Sequence, residues 1–273
     1  MRILLAGYYG FSNLGDEMLA AAARDLLCGE HQVTILRARR YFIPLLLRSD
    51  CLMFAGGSLF QDATGRGLSV WYYALWALTA KLCGKKLFLV AQGIGPLRRP
   101  FNRWLTRLIF CRADFVSLRD RESAKVVGLR KYHLTTDLLF NLDLKIKPKR
   151  HNKIAVNFTQ PILQECRPLY LAMQPGRDYG QKCDLRLLAG AHAAVGRRLH
   201  FVILALLLGV PVVAINYDPK VDSLCRRLKI PCVNLNGLDK IPRLLPKARR
   251  IDITAEKCLA YRSLQTLKEA LRG

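Results

Sequence analysis

The residues able to do chemistry in this 273-residue chain cluster in short runs, three of which are glycine-rich. They are Gly7-Tyr8-Tyr9-Gly10-Phe11-Ser12-Asn13-Leu14-Gly15-Asp16-Glu17, Gly56-Gly57-Ser58-Leu59-Phe60-Gln61-Asp62 and Gln92-Gly93-Ile94-Gly95-Pro96, and each directly follows a short apolar run. Glycine lets the backbone come close to a ligand, and a turn that opens into a helix presents free N–H groups to an anion. None of the three is G-x-G-x-x-G or carries the Lys-Ser/Thr of a P-loop, so dinucleotide or ATP use is not supported. One such turn is as readily a tight β–α connection; three, each at a strand's end, point to a shared ligand cleft. The candidate cleft residues are Gly10, Asn13, Asp16, Glu17, Gly57, Ser58, Gln61, Asp62, Gln92 and Gly93. Asp16, Glu17 and Asp62 have the chemistry to meet hydroxyl groups, with helix capping as the competing role for Asp16. His31, His133, His151 and His192 have no metal-ligand spacing, and no metal is expected.

The formal charge of +24 calls for an anionic partner: nucleic acid, a membrane surface or a phosphorylated substrate. Ten basic residues against three acidic ones lie between Arg98 and Lys131, and nine against two between Lys220 and Arg250. Zinc-finger spacing, an RNP aromatic motif and a helix-turn-helix signature are all missing, which argues against nucleic acid. Arg99, Arg103 and Arg107 recur at helical spacing, with Phe101, Trp104, Leu105, Leu108 and Ile109 on the other side. This is a basic amphipathic helix suited either to solvent or to peripheral contact with an anionic membrane.

Apolar runs alternate with longer helical ones, the mark of a parallel sheet flanked by helices. Strands are predicted at Arg2–Ala6, Gln32–Leu36, Cys51–Ala55, Lys86–Ala91 and Phe115–Leu118. Helices are predicted at Glu17–Leu27, Ser69–Cys83, Asn102–Cys111 and Glu122–Val127. The polar run Lys145–Asn152 reads as a linker, dividing a domain of residues 1–144 from one of residues 153–273. In the second, strands are expected at Lys153–Phe158, His192–Gly196, Pro211–Asn216 and Cys232–Leu235, and helices at Leu199–Leu208, Lys220–Leu228 and Ala255–Leu271. Only about forty residues separate Phe158 from Arg198, and Gln160–Asp184 is poorly periodic, so the second domain reads as shortened. No internal repeat is visible. The N-terminus enters a strand without a signal-peptide pattern, and the longest apolar stretch, Phe201–Ile215, is broken by Gly209-Val210-Pro211. Nine scattered cysteines without a C-x-x-C pair suit reduced thiols, and the expected location is the cytoplasm.

The three glycine-rich turns, followed in order by Arg119-Asp120-Arg121-Glu122-Ser123, Arg198-Leu199-His200 and Tyr217-Asp218-Pro219-Lys220-Val221, resemble the ordered motifs of the polysaccharide pyruvyl transferases. The nearest branch is the one that pyruvylates cell-wall polymers for S-layer attachment. The doubled arginine, Arg197-Arg198, departs from the usual motif. The resemblance implies a GT-B-like α/β fold of two Rossmann-like domains facing each other. It also implies transfer of a pyruvyl group from phosphoenolpyruvate to a sugar as a ketal, with phosphoenolpyruvate as co-substrate and no metal or organic cofactor.

By that resemblance Arg119 and Arg198 bind the donor anion, Lys220 adds a cationic contact and His200 is the acid/base. The chemistry agrees, since arginine grips carboxylate and phosphate in bidentate fashion and histidine titrates near neutrality. A surface ion pair with Asp120 or Glu122 is the alternative for Arg119, and a core histidine the alternative for His200. The implied acceptor is a saccharide, expected to be lipid-linked. Two other classes remain open: a GT-B glycosyltransferase using a nucleotide sugar, and a non-catalytic saccharide- or membrane-binding descendant.

Overall fold

Strands that read as unbroken apolar runs are buried on both faces, which is what a parallel sheet between helices demands. The computed structural model describes residues 1–11, 13–37, 43–63, 67–157, 170–172 and 184–273, and in it these runs form two wholly parallel sheets. The chain divides into two compact units. The first holds Met1–Phe11, Asp16–Asn141 and Glu256–Gly273, and the second holds Ser12–Gly15 and Leu142–Ala255.

The first unit runs β1 (Arg2–Ala6), α1 (Leu14–Leu27), β2 (Gln32–Ile35), α2 (Ile43–Leu47), β3 (Cys51–Ala55), α3 (Leu68–Leu82), β4 (Lys86–Gln92), α4 (Pro100–Arg112), β5 (Phe115–Leu118), α5 (Arg121–Val127) and β6 (His133–Leu134). Its strand order is β2-β1-β3-β4-β5-β6, so the winding direction reverses between β1 and β3. In such sheets ligands bind beyond the carboxyl ends of the strands at that reversal. Leu52, Phe54, Phe60, Trp76, Leu89 and Phe110 lie in its core. In α4 the inward face is Asn102, Leu105, Thr106, Ile109 and Phe110. Phe101 and Trp104, grouped by the sequence with the apolar side, point outward, because the buried stripe is narrower than the apolar one.

The second unit runs β7 (His151–Asn157), β8 (Tyr170–Ala172), α6 (Leu185–Gly190), β9 (Ala191–Gly196), α7 (Leu199–Leu207), β10 (Val212–Asn216), α8 (Pro219–Leu228), β11 (Cys232–Asn234) and α9 (Ile241–Leu244). Its order is β11-β10-β9-β7-β8, reversing between β7 and β9. In both sheets the second strand lies outside the first, and later strands add on the first strand's other side. The two units thus share a winding order that their residues do not reveal. Both halves are Rossmann-like, as the α/β alternation predicts.

The chain closes with α10 (Thr254–Arg272), whose Glu256, Ala260, Leu264, Leu267 and Leu271 form one buried stripe. The sequence carries this helix with the second domain; from Glu256 onward it groups with the first unit. Glu30 receives Arg272 and, next in weight, Lys268 there, and these contacts hold its carboxyl below the usual range. His151 and Asn152, read as the end of a linker, open β7. The short elements α2, β6, β8, α6 and α9 were not foreseen. Most of Gln160–Asp184, on which the shortened second domain rests, lies outside the described residues. Among the described residues no helix is long and apolar enough to cross a membrane. The described cysteines are all free thiols.

Candidate functional site

In the first unit the glycine-rich turns after β1, β3 and β4 are tied to one another by buried polar groups. Tyr9 is buried, and its hydroxyl donates to the Ala55 carbonyl at 2.7 Å, fastening the turn after β1 to the end of β3. The phenol ring fills the space beside Gly7, where a β-carbon would stand 2.4 Å from Tyr9 Cζ. Burial, followed by the nearby Asp16 carboxylate, pushes the Tyr9 pKa well up, so this donor keeps its proton. Gly10, at φ 80°, donates its N–H to Glu17 Oε1 from the first turn of α1. Asp16 is buried in that same helical turn, and its Oδ1 lies 3.4 Å from where a Gly57 β-carbon would be. Gly56 and Gly57 take φ values of 69° and 78° in succession, a left-handed pair closed to most side-chain-bearing residues.

A bulge in β4 prepares the third turn. The β4–β5 register shifts between Leu89 and Gln92, and Ala91 sits at φ 49°, a strained conformation for alanine. The fully buried Gln92 side chain then donates from Nε2 to the carbonyls of Phe54 at 3.1 Å and Gly56 at 2.9 Å, while Gly93 N–H reaches the Gly57 carbonyl at 2.9 Å. Gln92 is therefore a brace beneath the second turn.

Arg119, at the end of β5, is 6% exposed. Its Nη2 donates to Ser58 Oγ at 2.7 Å and its Nη1 to Asp137 Oδ2 at 3.3 Å, with Asp120 Oδ2 3.8 Å from Nε. The guanidinium lies against Gly93, whose missing β-carbon would be 2.3 Å from Nη2. Its contact with Asp120 matches the alternative sequence reading in partner but not in setting, because the group is buried. Thr136, next to Asp137, donates through Oγ1 to the buried Glu256. Tyr9, Thr136, Asp137 and Glu256 escaped the sequence reading; an aromatic residue and paired polar residues beyond strand ends were the available signals.

Gly10, Asp16, Glu17, Gly57, Ser58, Gln92, Gly93 and Arg119 thus gather at the carboxyl ends of β1, β3, β4 and β5. Asp62 fastens the segment that leads into α4: Oδ1 accepts the Arg98 N–H at 2.7 Å and Oδ2 the Arg99 N–H at 2.9 Å, and Asn102 Nδ2 donates to Oδ2 at 3.2 Å. Gln61 lies under Gly95, and Asn13 directly precedes α1.

In the second unit, β9 ends at Gly196 beside the reversal, and Arg197 N–H bonds the carbonyl of Asn157 at the end of β7. Arg198 is the N-cap of α7, exposed, and its guanidinium meets no carboxylate among the described residues. His200 follows in the first turn, half-buried, with Nδ1 only 1.9 Å from the position of a β-carbon on Gly15, which this unit includes. Arg197 stacks over Tyr217 with Cζ 4.1 Å from the ring centroid. Burial raises the Tyr217 pKa against the pull of Arg198 and Arg197. Lys220, in the first turn of α8, bonds Asp218 through its backbone N–H at 3.0 Å and its ammonium at 3.2 Å. A groove of about 520 Å³ opens beyond β10 and β11, with Asn216, Asp218, Asp222, Asn234 and Asn236 among its lining residues. An exposed arginine on a helix N-terminus, with an imidazole in the same turn, can hold an anion beside a proton-transfer group.

The family model for polysaccharide pyruvyl transferase matches residues 13–177 and 185–219. The chain belongs to this family. The pyruvyl transferase match includes Arg119, Arg198 and His200 and ends one residue before Lys220. No curated protein sequence matches significantly. Among solved structures, an uncharacterized Klebsiella pneumoniae protein is 20% identical with a TM-score of 0.57, over 85% of this chain and 92% of that one. The Anabaena protein HepE, in complex with UDP and glucose, is 13% identical with a TM-score of 0.60, over the whole of both chains. The UDP-GlcNAc 2-epimerase of Methanocaldococcus jannaschii is 11% identical with a TM-score of 0.62, over 100% of this chain and 99% of that one. At such identities these likenesses establish a GT-B-type fold for this chain and nothing finer.

Proposed function

We propose that this family member condenses phosphoenolpyruvate with two hydroxyls of one sugar to form a pyruvyl ketal. Two oxygen–C2 bonds form, the bond from C2 to the phosphate oxygen breaks, and C3 gains a proton to become a methyl group. Of the two protons lost by the hydroxyls, one balances the gain at C3 and the other leaves with phosphate. The observation that carries this reading is Arg198, exposed at the start of α7, two residues from His200 and meeting no carboxylate among the described residues. In this scheme Arg198, the α7 N–H groups and Lys220 take the donor's carboxylate and phosphate, and His200 moves the proton. Arg119, with donors directed at Ser58 and Asp137, supports a positioning role in the first unit. No metal or organic cofactor enters.

The acceptor in this reading is a lipid-linked sugar of a cell-wall or exopolysaccharide precursor, such as an S-layer-anchoring polymer, modified in the cytoplasm. The test is incubation with phosphoenolpyruvate and lipid-linked saccharides, following phosphate release and the acceptor's mass. A pyruvyl mass gain matched by phosphate supports the scheme. Sugar transfer from a UDP-sugar, with no use of phosphoenolpyruvate, would replace it by the glycosyltransferase reading.

A further inference from the structure

The outer surfaces of α3 and α4 in the first unit carry apolar residues that the core does not use. On α3, Leu68, Trp71, Leu75 and Leu82 recur at spacings of three, four and seven, the period of a single helix face, and all are exposed. Leu82 is 87% exposed and Trp71 49%. On α4, Phe101 and Trp104 are exposed as well. Trp71 stacks on Phe101 with centroids 5.0 Å apart, and Phe101 meets Trp104 at 5.4 Å, so the two stripes join in one aromatic patch.

Its charge setting selects the partner. Neither helix contains an acidic residue, and Arg98, Arg99, Arg103, Arg107 and Arg112 are all exposed along or just before α4. Tryptophan and phenylalanine beside arginine suit the boundary between lipid headgroups and acyl chains, where the rings are half-desolvated and the cations meet phosphate. A second copy of the chain fits less well, since a two-fold contact would press two arginine-rimmed patches of one sign together.

We propose that Leu68, Trp71 and Leu75 of α3 with Phe101 and Trp104 of α4 seat the protein on the headgroup layer of an anionic bilayer. The patch has this role whichever donor the enzyme uses, so its test needs no turnover.

The chain's tryptophans are Trp71, Trp76 and Trp104, and Trp76 is fully buried. Full-length protein is mixed with vesicles of phosphatidylcholine containing about one third phosphatidylglycerol, with and without brominated acyl chains. The expected result is a blue shift and bromine quenching that leave a residual signal from Trp76, absent with pure phosphatidylcholine and weakened about tenfold or more by molar salt. Trp71→Gln with Trp104→Gln should cut co-sedimentation with anionic vesicles by about tenfold while the Trp76 emission stays at its native wavelength. Unquenched tryptophan emission with anionic vesicles overturns the proposal. So does a concentration-dependent dimer in sedimentation velocity that the double variant abolishes, which would make the patch a subunit interface.

Discussion

The guanidinium of Arg119 rests on Gly93 so closely that a single added methyl group would overlap it, and the same side chain bonds Ser58, sixty-one residues earlier. Glycine at 93 and arginine at 119 are therefore one device. Gly93→Ala should push the guanidinium off Ser58 and Asp137, costing about 1–3 kcal/mol of overpacking strain in denaturant unfolding and lowering turnover. Arg119→Met should cost more, about 3–5 kcal/mol, because it takes the Arg119 cation away from the buried Asp137 carboxylate. A stability change below about 0.5 kcal/mol in both would mean the cluster does not hold the turns.

His200 and Arg198 should separate in kinetics. His200→Asn removes proton transfer and is expected to lower kcat for phosphate release from phosphoenolpyruvate by about 10²–10⁴-fold, with unfolding unchanged. Arg198→Gln removes a charged contact worth about 1.5–3 kcal/mol, so KM for phosphoenolpyruvate should rise about 10–100-fold at nearly constant melting temperature. Equal activity of both variants and the parent would remove the anion-and-imidazole scheme.

Gly15→Ala tests the seat of the imidazole. The new β-carbon would fall 1.9 Å from His200 Nδ1, so either the ring rotates away or the backbone shifts. Activity should drop nearly as far as in His200→Asn while circular dichroism is retained. Full activity would show that the ring's placement is irrelevant to catalysis.

Asp62 should show its role through pH. Burial raises its pKa, but hydrogen bonds from the Arg98 and Arg99 N–H groups and from Asn102 outweigh this, and the carboxyl sits below its ordinary range. A depressed native pKa means stabilisation present above the unfolded value, near ~3.9, and lost as pH falls through the native one. Asp62→Ala is expected to lose about 1–3 kcal/mol at pH 7, the usual cost of leaving hydrogen-bond donors without their acceptor. The gap from the parent should close as pH falls below about 4; a gap independent of pH would assign the loss to packing instead.

Much of the fold could be read from the residues because its central strands are largely apolar: Cys51–Ala55 is wholly so and Phe115–Leu118 carries only Ser117 as a polar residue, and both proved buried throughout. The glycine turns were legible for a related reason, since Gly56-Gly57 has few uses outside a left-handed turn. What each polar residue does was less accessible. Asp62, read as a candidate for meeting hydroxyls, also fastens the chain ahead of α4, which its neighbours in sequence do not reveal because Arg98 and Arg99 come from a distant segment. Ser58 and Asp137 are joined through Arg119. Periodicity marked α4 as amphipathic but not how much of its apolar side the neighbouring elements cover, which is why the exposed Phe101 and Trp104 were grouped with the buried Leu105 and Ile109. The shared winding order has no residue signature, since hydrogen-bonded strand order depends on crossovers rather than on side-chain type.

The return of α10 to the first unit sets an order of events during synthesis. A ribosome delivers residues 142–255 before it delivers Ala260, Leu264, Leu267 and Leu271, so the later-encoded unit has its full complement while the earlier one still lacks an apolar stripe. The nascent first unit therefore waits with part of its core uncovered. Emergence of α10, rather than of the N-terminal half, is the moment at which it can close.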